Sequence, residues 1–126
     1  MSRIIGIGCD ITSHEVTDKL NWNSDKRVLE RIFSKNEIDL YEENSSITFL
    51  CGRFAAKEAL LKSIGTGMED GISLRDIVIL RLPNGQPTIE VTGRVKEIAD
   101  SLGINNWQVS ISHSDKSSIA FVIAHG

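Results

Sequence analysis

Hydrophobic and polar positions alternate along the chain in a pattern that predicts strands at both ends of the sequence. The segment 4–11 is apolar apart from Asp10, and its Gly6 and Gly8 allow another backbone to approach closely, as expected of a buried strand. Near the other end, residues 107–112 alternate between apolar and polar side chains, and residues 118–124 are mostly apolar. We therefore expect one sheet to join the two ends of the chain.

A β-hairpin is predicted between these outer strands. Residues 77–82 are rich in β-branched and aliphatic side chains, and the turn sequence Pro83-Asn84-Gly85 separates them from a second strand over 88–91. Thr92 is then expected to cap a helix over 93–102, which Gly103 ends.

The first half of the chain is predicted to be mainly helical. Residues 13–21 are ambiguous and fit one or two helical turns. The helix signals that follow are an N-cap at Ser24 for a helix through Val28, Leu29 and Ile32, a capping box of Ser34 and Glu37 for a helix to about Glu43, and a cap at Ser45 or Ser46 for a long central helix ending at Gly65. Helices in the first half and strands at both ends predict an α+β fold with a small antiparallel sheet and a long central helix.

The central segment 52–67, GRFAAKEALLKSIGTG, carries the clearest chemical signal. Glu58 and Lys62 are one helical turn apart and fall within the arc of Ile47, Leu50, Cys51, Phe54 and Leu61. Charge in an apolar arc is costly to bury unless it is paired or bound to a metal. The final Gly65-Thr66-Gly67 is expected to expose backbone N–H groups that suit a phosphate. These features indicate metal-assisted phosphate chemistry; the alternative is a solvated Glu–Lys pair before a glycine C-cap.

Length, charge and cysteine content narrow the class of protein. A chain of 126 residues predicts a single domain, 1–126, and a net charge of −3 argues against a partner that is a nucleic acid or an anionic membrane. No apolar stretch is long enough to span a membrane, and Asp10 interrupts the N-terminal apolar run too early for a signal peptide. Cys9 and Cys51 have neither disulfide-framework nor zinc-site spacing, so we expect a cytoplasmic protein.

Two polar residues at strand ends are further candidates. Asp10 sits at the end of the first strand and is either a turn or cap residue or a ligand, and His113 follows the alternating strand before a polar turn. Ser110 and Ser112 beside His113 raise the alternative of a serine nucleophile. We reject a hydrolase of that kind because the chain has no G-x-S-x-G motif and neighbours in a strand face opposite sides.

Four motifs in order resemble the bacterial holo-acyl-carrier-protein synthases, which are short 4′-phosphopantetheinyl transferases. They are GIGCDI, GRFAAKEALLKSIGTG, NGQPTIEV and VSISHS, and with RVLERIFSKNEI they carry the resemblance from Ile4 to Ile123. The resemblance implies transfer of the 4′-phosphopantetheine arm of coenzyme A to a serine of an acyl carrier protein, with release of adenosine 3′,5′-bisphosphate. It also implies fatty acid biosynthesis as the pathway and a homotrimer whose active sites are shared between subunits.

The same resemblance implies roles for individual residues. Asp10 and Glu58 would hold Mg²⁺, and Glu58 would take the proton of the attacking serine directly or through a metal-bound water. Lys62 would stabilise the diphosphate, which would lie along Gly65, Thr66 and Gly67. Arg53 and His113 would bind the region of the adenosine 3′-phosphate, and Lys57 has no assigned role.

The chain departs from the family pattern after its Asp10-Ile11 pair. The family usually has an acidic and a basic residue where this chain has Ser13 and Val16, and the basic residue belongs to the surface that docks the carrier protein. Compensating charge is available from Lys19, Lys26, Arg27 and Arg31. The alternatives to a transferase are a catalytically weak paralogue that binds coenzyme A or a carrier protein, and a small Mg²⁺-dependent nucleotide hydrolase.

Overall fold

The computed structural model describes residues 3–22, 25–44, 46–66 and 71–126, and it confirms the α+β fold. A 3₁₀ turn, Leu74–Asp76, precedes the hairpin. In chain order the strands and helices are β1 (Ile4–Ser13), α1 (Val16–Lys19), α2 (Lys26–Ile32), α3 (Lys35–Asn44), α4 (Ile47–Ser63), β2 (Ile77–Arg81), β3 (Pro87–Val91), α5 (Gly93–Ser101), β4 (Asn106–His113) and β5 (Ser117–His125).

The two ends of the chain form one antiparallel sheet, as the hydrophobic pattern predicts. Strand β5 lies in the middle of a three-stranded sheet of order β1-β5-β4, while β2 and β3 form a separate two-stranded sheet. The register places Asp10 opposite Ala120 on β5 and places His113 opposite Ser118. Asp10 and His113 therefore belong to the two opposite edge strands of one sheet.

Helix α4 packs directly on the backbone of β1 because that strand has no side chains at Gly6 and Gly8. A Cβ atom on Gly6 would collide with the carbonyl oxygen of Ser63, and one on Gly8 would collide with that of Ala59. The close backbone approach expected from the two glycines is confirmed. This contact fixes the distance between the end of β1 and the polar side chains of α4.

Two hydrophobic clusters meet on α4, so this helix is buried on almost all sides. One cluster lies between α4, the sheets and α5, and the other lies between α4, α2 and α3. None of the described helices has the length and apolarity needed to cross a membrane. The fully buried residues of α4 include the polar Lys57 as well as Leu50, Cys51, Ala55, Ala56, Ala59 and Leu60.

The capping signals were partly correct. The predicted capping box is confirmed, since Glu37 N–H donates to Ser34 Oγ (3.3 Å) and Ser34 N–H donates to Glu37 Oε1 (2.9 Å). Helix α2 is capped by Asp25, whose Oδ1 accepts the N–H of Arg27 at 3.0 Å. The caps predicted at Ser24 and Ser45 lie outside the described residues.

Two other predicted caps take the N-cap position without a capping hydrogen bond. Ser46 precedes α4, but its hydroxyl pairs with that of Thr48 at 2.7 Å. Thr92 precedes α5, and its hydroxyl donates to Asp76 Oδ1 at 3.2 Å. The competing hydroxyl and carboxylate partners explain why neither side chain accepts an N–H of its own helix.

The face of the three-stranded sheet that points away from α4 is exposed and apolar. Ile11 is 68% exposed and Phe121 is 45% exposed. The register aligns apolar side chains across β1 and β5, namely Ile7 with Ile123, Cys9 with Phe121, and Ile11 with Ile119. An exposed apolar patch that crosses two strands indicates a surface that binds another macromolecule.

Candidate active site

Asp10 and Lys62 form an ion pair at the end of β1. Lys62 Nζ donates to Asp10 Oδ1 at 3.0 Å and to the carbonyl oxygen of Cys9 at 3.1 Å. The hydroxyl of Thr12 donates to Asp10 Oδ2 at 3.2 Å. Both carboxylate oxygens of Asp10 therefore already accept hydrogen bonds, one of them from a cation whose side chain is 55% exposed.

Glu58 lies beside this pair in a cleft of about 310 Å³ between α4 and the end of β1. Burial raises the pKa of the Glu58 carboxyl, the negative charge of Asp10 raises it further, and Lys62 opposes both effects. The cleft is also lined by Glu15, Lys19 and Phe54. The structure thus brings together Asp10, Glu58 and Lys62, which are far apart in sequence, as a group that can hold a cation or accept a proton.

Within this group the ion pair joins the helix to the strand. Lys62 pairs with Asp10, and its side chain is largely exposed, although the sequence places Lys62 with Glu58 in an apolar arc of the helix. The lysine side chain is long enough to reach the sheet from the helix. There it donates to two acceptors, the carbonyl oxygen of Cys9 and Asp10 Oδ1. Glu58 is among the residues that line the cleft.

The donor set fits a hard divalent cation. Among the described residues no three His, Cys, Asp or Glu side chains converge, so Asp10 and Glu58 would be a partial set of protein ligands for a metal here. Mg²⁺ is commonly bound by one or two carboxylates together with water and substrate phosphates, whereas structural zinc sites need four protein ligands.

Arg53 lies on another side of α4, together with a second cation that the sequence analysis missed. Arg53 and Arg81 line a small cleft of about 130 Å³ beside the β2–β3 turn. The Arg53 guanidinium carbon lies 3.7 Å from the centroid of the Phe49 ring, and Nε donates to the carbonyl oxygen of Ile79 at 3.3 Å. The pKa of Arg53 is lowered to about 10, mainly by burial and to a smaller extent by Arg81, while Glu37 opposes the shift. A buried arginine is thus held in place, and an exposed one accompanies it.

His113 completes this cleft. Its Nδ1 lies 2.7 Å from the hydroxyl of Ser118, and its ring packs against α4 at Gly52, where an added Cβ would lie 2.8 Å from the ring carbon Cε1. Burial lowers the pKa of His113, and the nearby charges of His14 and Arg53 lower it further. Gly52, at the start of the central motif, is needed for close approach of this ring. The sequence feature that could have identified Arg81 is its position just before the Pro83-Asn84-Gly85 turn.

The structure does not bring the two groups of predicted residues together within one chain. Asp10 and His113 lie on opposite edge strands, two strand spacings or about 9–10 Å apart, and α4 packs against all three strands between them. Around the axis of α4, Glu58 and Arg53 are separated by about 140°. The cleft at Glu58 and the cleft at Arg53 have no lining residue in common.

The loop after α4 differs from the expectation of free backbone amides. Gly65 N–H donates to the carbonyl oxygen of Lys62 and Thr66 N–H to that of Leu61, both at 3.1 Å. These are the two hydrogen bonds of a Schellman C-cap, so the helix itself uses both amides. The prediction of exposed N–H groups was wrong for Gly65 and Thr66, and Gly67 lies outside the described residues.

Lys57 is the buried charge of α4 that the helical arc did not identify. Its Nζ donates to Glu37 Oε1 (2.6 Å), to the carbonyl oxygen of Leu74 (2.9 Å) and to that of Ile77, and neither charged side chain is exposed. Burial lowers the pKa of Lys57, and Glu37 opposes that shift. All three ammonium protons are used, so Lys57 joins α4 to α3 and β2 instead of serving the cleft.

Comparisons with known proteins agree with this architecture. The family model of the 4′-phosphopantetheinyl transferase superfamily matches residues 6–121. The chain is 38% identical over 122 residues to the holo-[acyl-carrier-protein] synthase of Hydrogenovibrio crunogenus, covering 96% of both chains. Two solved synthases resemble it in structure. That of Neisseria meningitidis has a TM-score of 0.87 and 31% identity, with coverage of 97% of this chain and 98% of that one.

The second, from Helicobacter pylori and in complex with coenzyme A, has a TM-score of 0.80 and 33% identity, with coverage of 94% and 98%. The family match spans β1 with Asp10, all of α4 and the strand that carries His113. Because the fold is shared, the family model matches residues 6–121 and the sequence identity to a known synthase is 38%, the chain belongs to the 4′-phosphopantetheinyl transferase superfamily.

Proposed function

We propose that this protein transfers the 4′-phosphopantetheine arm of coenzyme A to a serine hydroxyl of an acyl carrier protein and releases adenosine 3′,5′-bisphosphate. The observation that carries the proposal is the group of Asp10, Glu58 and Lys62 at one cleft of a family member. The product, a holo-carrier protein, serves fatty acid biosynthesis. The free thiols of Cys9 and Cys51 fit a reducing cytoplasm.

The residues of the cleft account for the chemistry. Asp10 and Glu58 would hold Mg²⁺, which would supply positive charge to neutralise the diphosphate of coenzyme A. Glu58 accepts the proton of the carrier serine as its oxygen forms a bond to the β-phosphorus, and the bridging P–O bond to the nucleotide breaks. A raised pKa suits Glu58 to that proton transfer. Lys62 exchanges its contact with Asp10 for the phosphate oxygens, on which negative charge develops.

We assign the second cleft to the 3′-phosphate of coenzyme A, and this assignment gives a prediction. Arg81→Gln is expected to weaken coenzyme A binding roughly 10–100-fold, the value of one charge-assisted contact, and to leave dephospho-coenzyme A almost unaffected. Arg53→Gln should show the same selectivity with an added loss of stability, because Arg53 is buried against Phe49. Isothermal titration with both ligands measures the difference.

The matched control for this prediction is Arg94→Gln, an exposed arginine on α5 that pairs with Glu97. It should bind both ligands as the wild type does. Equal losses for coenzyme A and dephospho-coenzyme A in the Arg81 variant would remove this cleft from 3′-phosphate recognition.

We also propose a homotrimer with active sites between subunits. Helix α4 covers one face of the β1-β5-β4 sheet and leaves the apolar side chains around Phe121 exposed, which fits a surface buried between copies of this chain. Small-molecule sites usually have volumes of roughly 300–1,000 Å³. Of the two clefts, one is at the lower limit of this range, at about 310 Å³, and the other is below it, at about 130 Å³. Coenzyme A would then contact Glu58 of one subunit and Arg53 of the next.

A subunit-mixing experiment tests the shared site. Glu58→Gln and His113→Ala chains are each expected to be nearly inactive alone. After they are unfolded and refolded together, about a quarter of the sites in random trimers would contain both native residues, so activity should return toward ~25% of wild type. Sedimentation equilibrium should give a trimer for the wild type and smaller species for Phe121→Asp. No recovery on mixing, or a fully active monomer, would contradict the proposal.

The surface proposed to dock the carrier protein is the part of this chain that departs from the family pattern. Lys19 lines the Glu58 cleft, whereas Lys26 and Arg27 pair with Glu42 (3.7 Å) and Asp25 (3.4 Å). Lys19 is therefore the cation best placed to attract an acidic carrier in place of the basic residue replaced by Val16.

Product analysis separates the transferase from its two alternatives. Incubation with coenzyme A, Mg²⁺ and apo-carrier proteins, followed by mass spectrometry, should show a carrier that has gained phosphopantetheine. Nucleotide cleavage without a carrier would indicate a hydrolase. Binding without either product would indicate a carrier-protein or coenzyme A binding module.

A further inference from the structure

A single buried hydroxyl connects two histidines that are 99 positions apart in sequence. Ser118 Oγ lies 2.7 Å from His113 Nδ1 and 3.0 Å from His14 Nε2. The other nitrogen of His14, Nδ1, lies 3.2 Å from the backbone carbonyl oxygen of Asp115. Ser118 is fully buried. No local pattern in the sequence predicts this His14–Ser118–His113 chain of hydrogen bonds.

The carbonyl group at one end fixes the direction of the whole chain. A carbonyl oxygen only accepts, so His14 Nδ1 carries a proton. When His14 is neutral, its Nε2 is bare and must accept the hydroxyl proton of Ser118. Ser118 Oγ can then only accept from His113, which places the proton of neutral His113 on Nδ1 and leaves its Nε2 bare.

That arrangement makes neutral His113 a poor ligand for an anion. Nε2 is the ring nitrogen left for the cleft of Arg53 and Arg81, where it lies 3.5 Å from the position of a Cβ on Gly52. Without a proton it presents a lone pair to phosphate oxygens. The reversed arrangement, with Ser118 donating to His113, would leave the lone pairs of Ser118 Oγ and His14 Nε2 facing each other at 3.0 Å.

One additional proton on the His14–Ser118–His113 chain gives the cleft an N–H donor in either of two ways. The proton can bind His113 Nε2 directly. Alternatively it can bind His14 Nε2, which then donates to Ser118; the Ser118 hydroxyl turns toward His113 Nδ1, and the proton of His113 resides on Nε2. Both forms give the cleft an N–H donor, and the unprotonated chain gives none.

We propose that His14 and Ser118 are positioning residues that control the protonation form of His113, so that the cleft binds a phosphate monoester with uptake of one proton by the His14–Ser118–His113 chain. The inference rests on the proposed function only in taking that monoester to be the 3′-phosphate of coenzyme A.

The charged groups around the His14–Ser118–His113 chain are consistent with proton uptake on anion binding. Arg53 and Arg81 face His113 across the cleft, and the cleft beside His14 is lined by Glu15, Asp18, Asp115 and Lys116. Burial lowers the pKa of His113, and the nearby His14 and Arg53 lower it further. The lowered pKa favours neutral His113 in the free protein, and a bound dianion supplies the charge that favours proton uptake.

The tautomer of His113 in the ligand-free protein provides the first test. Nitrogen-15 NMR at pH 8.5 should find the proton of neutral His113 on Nδ1 in the wild type and on Nε2 in His14→Leu, where nothing opposes donation by Ser118. The protein has three histidines, so the spectrum of His125→Gln completes the assignment of the ring signals to individual histidines. The same tautomer in both proteins would overturn the inference, whether or not coenzyme A binds.

Binding provides the second test. Between pH 7 and 8.5, where a phosphate monoester stays dianionic, the preference of the wild type for coenzyme A over dephospho-coenzyme A should fall by up to tenfold per pH unit. In His14→Leu it should change less than twofold over the same range, and Lys116→Gln, in the neighbouring loop, should keep the wild-type slope. In a Ser118→Ala background, His14→Leu should have no further effect on the slope.

Parallel slopes for the wild type and His14→Leu would contradict the proposal. Failure of every protein to bind coenzyme A would instead reject the proposed function, and the tautomer measurement would still decide the role of His14 and Ser118.

Discussion

Glu58→Gln is expected to lower turnover by about 10²–10⁴-fold, the usual effect of losing a general base, while the fold is retained or becomes more stable. The amide cannot take the proton of the carrier serine and is a weaker ligand for a cation. Burial and the charge of Asp10 raise the pKa of the Glu58 carboxyl. A carboxyl whose pKa is raised on folding stabilises the native state at low pH and loses that contribution as the pH rises, so the charged form is destabilising at pH 7.

The thermal midpoint, measured without metal, should therefore be equal or higher for Glu58→Gln at pH 7, and this difference should shrink toward pH 4. Asp10→Asn should also lower turnover and raise the Mg²⁺ concentration needed for half-maximal rate. Glu43→Gln, an exposed glutamate on α3, is the matched control and should change neither property. Near wild-type turnover of both cleft variants at limiting Mg²⁺ would show that the assigned ligands are wrong.

Lys57→Met should reduce the free energy of unfolding by about 3–5 kcal/mol, the cost of leaving a buried charge without its partner. The ammonium of Lys57 is the counter-ion of Glu37, whose carboxylate is fully buried and also accepts N–H groups of Ser34 and Ile79. Without Lys57 the carboxylate must either stay charged in an apolar setting or take up a proton.

Urea denaturation at one fixed protein concentration measures this effect, since assembly would make stability depend on concentration. The control is Lys96→Met, which removes the lysine of an exposed pair with Asp100 (2.6 Å) and should cost less than about 1 kcal/mol. The double variant Glu37→Leu/Lys57→Met should be more stable than Lys57→Met alone, because it removes the unpaired charge. A Lys57 variant within about 1 kcal/mol of the wild type would contradict the structural role.

Local signals in the sequence were sufficient wherever neighbouring residues determine the structure. The capping box of Ser34 and Glu37 and the Pro83-Asn84-Gly85 turn formed as predicted, because their hydrogen bonds link residues three or four positions apart. The glycines of β1 were also correctly interpreted as sites of close backbone approach.

Helix α4 shows where sequence periodicity is insufficient. The arc that contains Glu58 was taken as the buried face, yet the fully buried charge of the helix is Lys57, and Lys62 is largely exposed. A helix that is apolar almost all round packs against two cores and has no single inner face, so periodicity does not decide which charges are buried. The buried partner of Lys57, twenty residues away in sequence, is supplied by α3.

The sequence by itself determined the fold class, the family, and the grouping of Asp10, Glu58 and Lys62, because short motifs in a fixed order carry that information. Only the tertiary structure decided that Arg53 and His113 lie across α4 from that group, since their separation depends on the order β1-β5-β4 and on how the helix packs over it. The contact of His14 and His113 with Ser118 also arises from strand pairing, which brings distant residues together without a local signal.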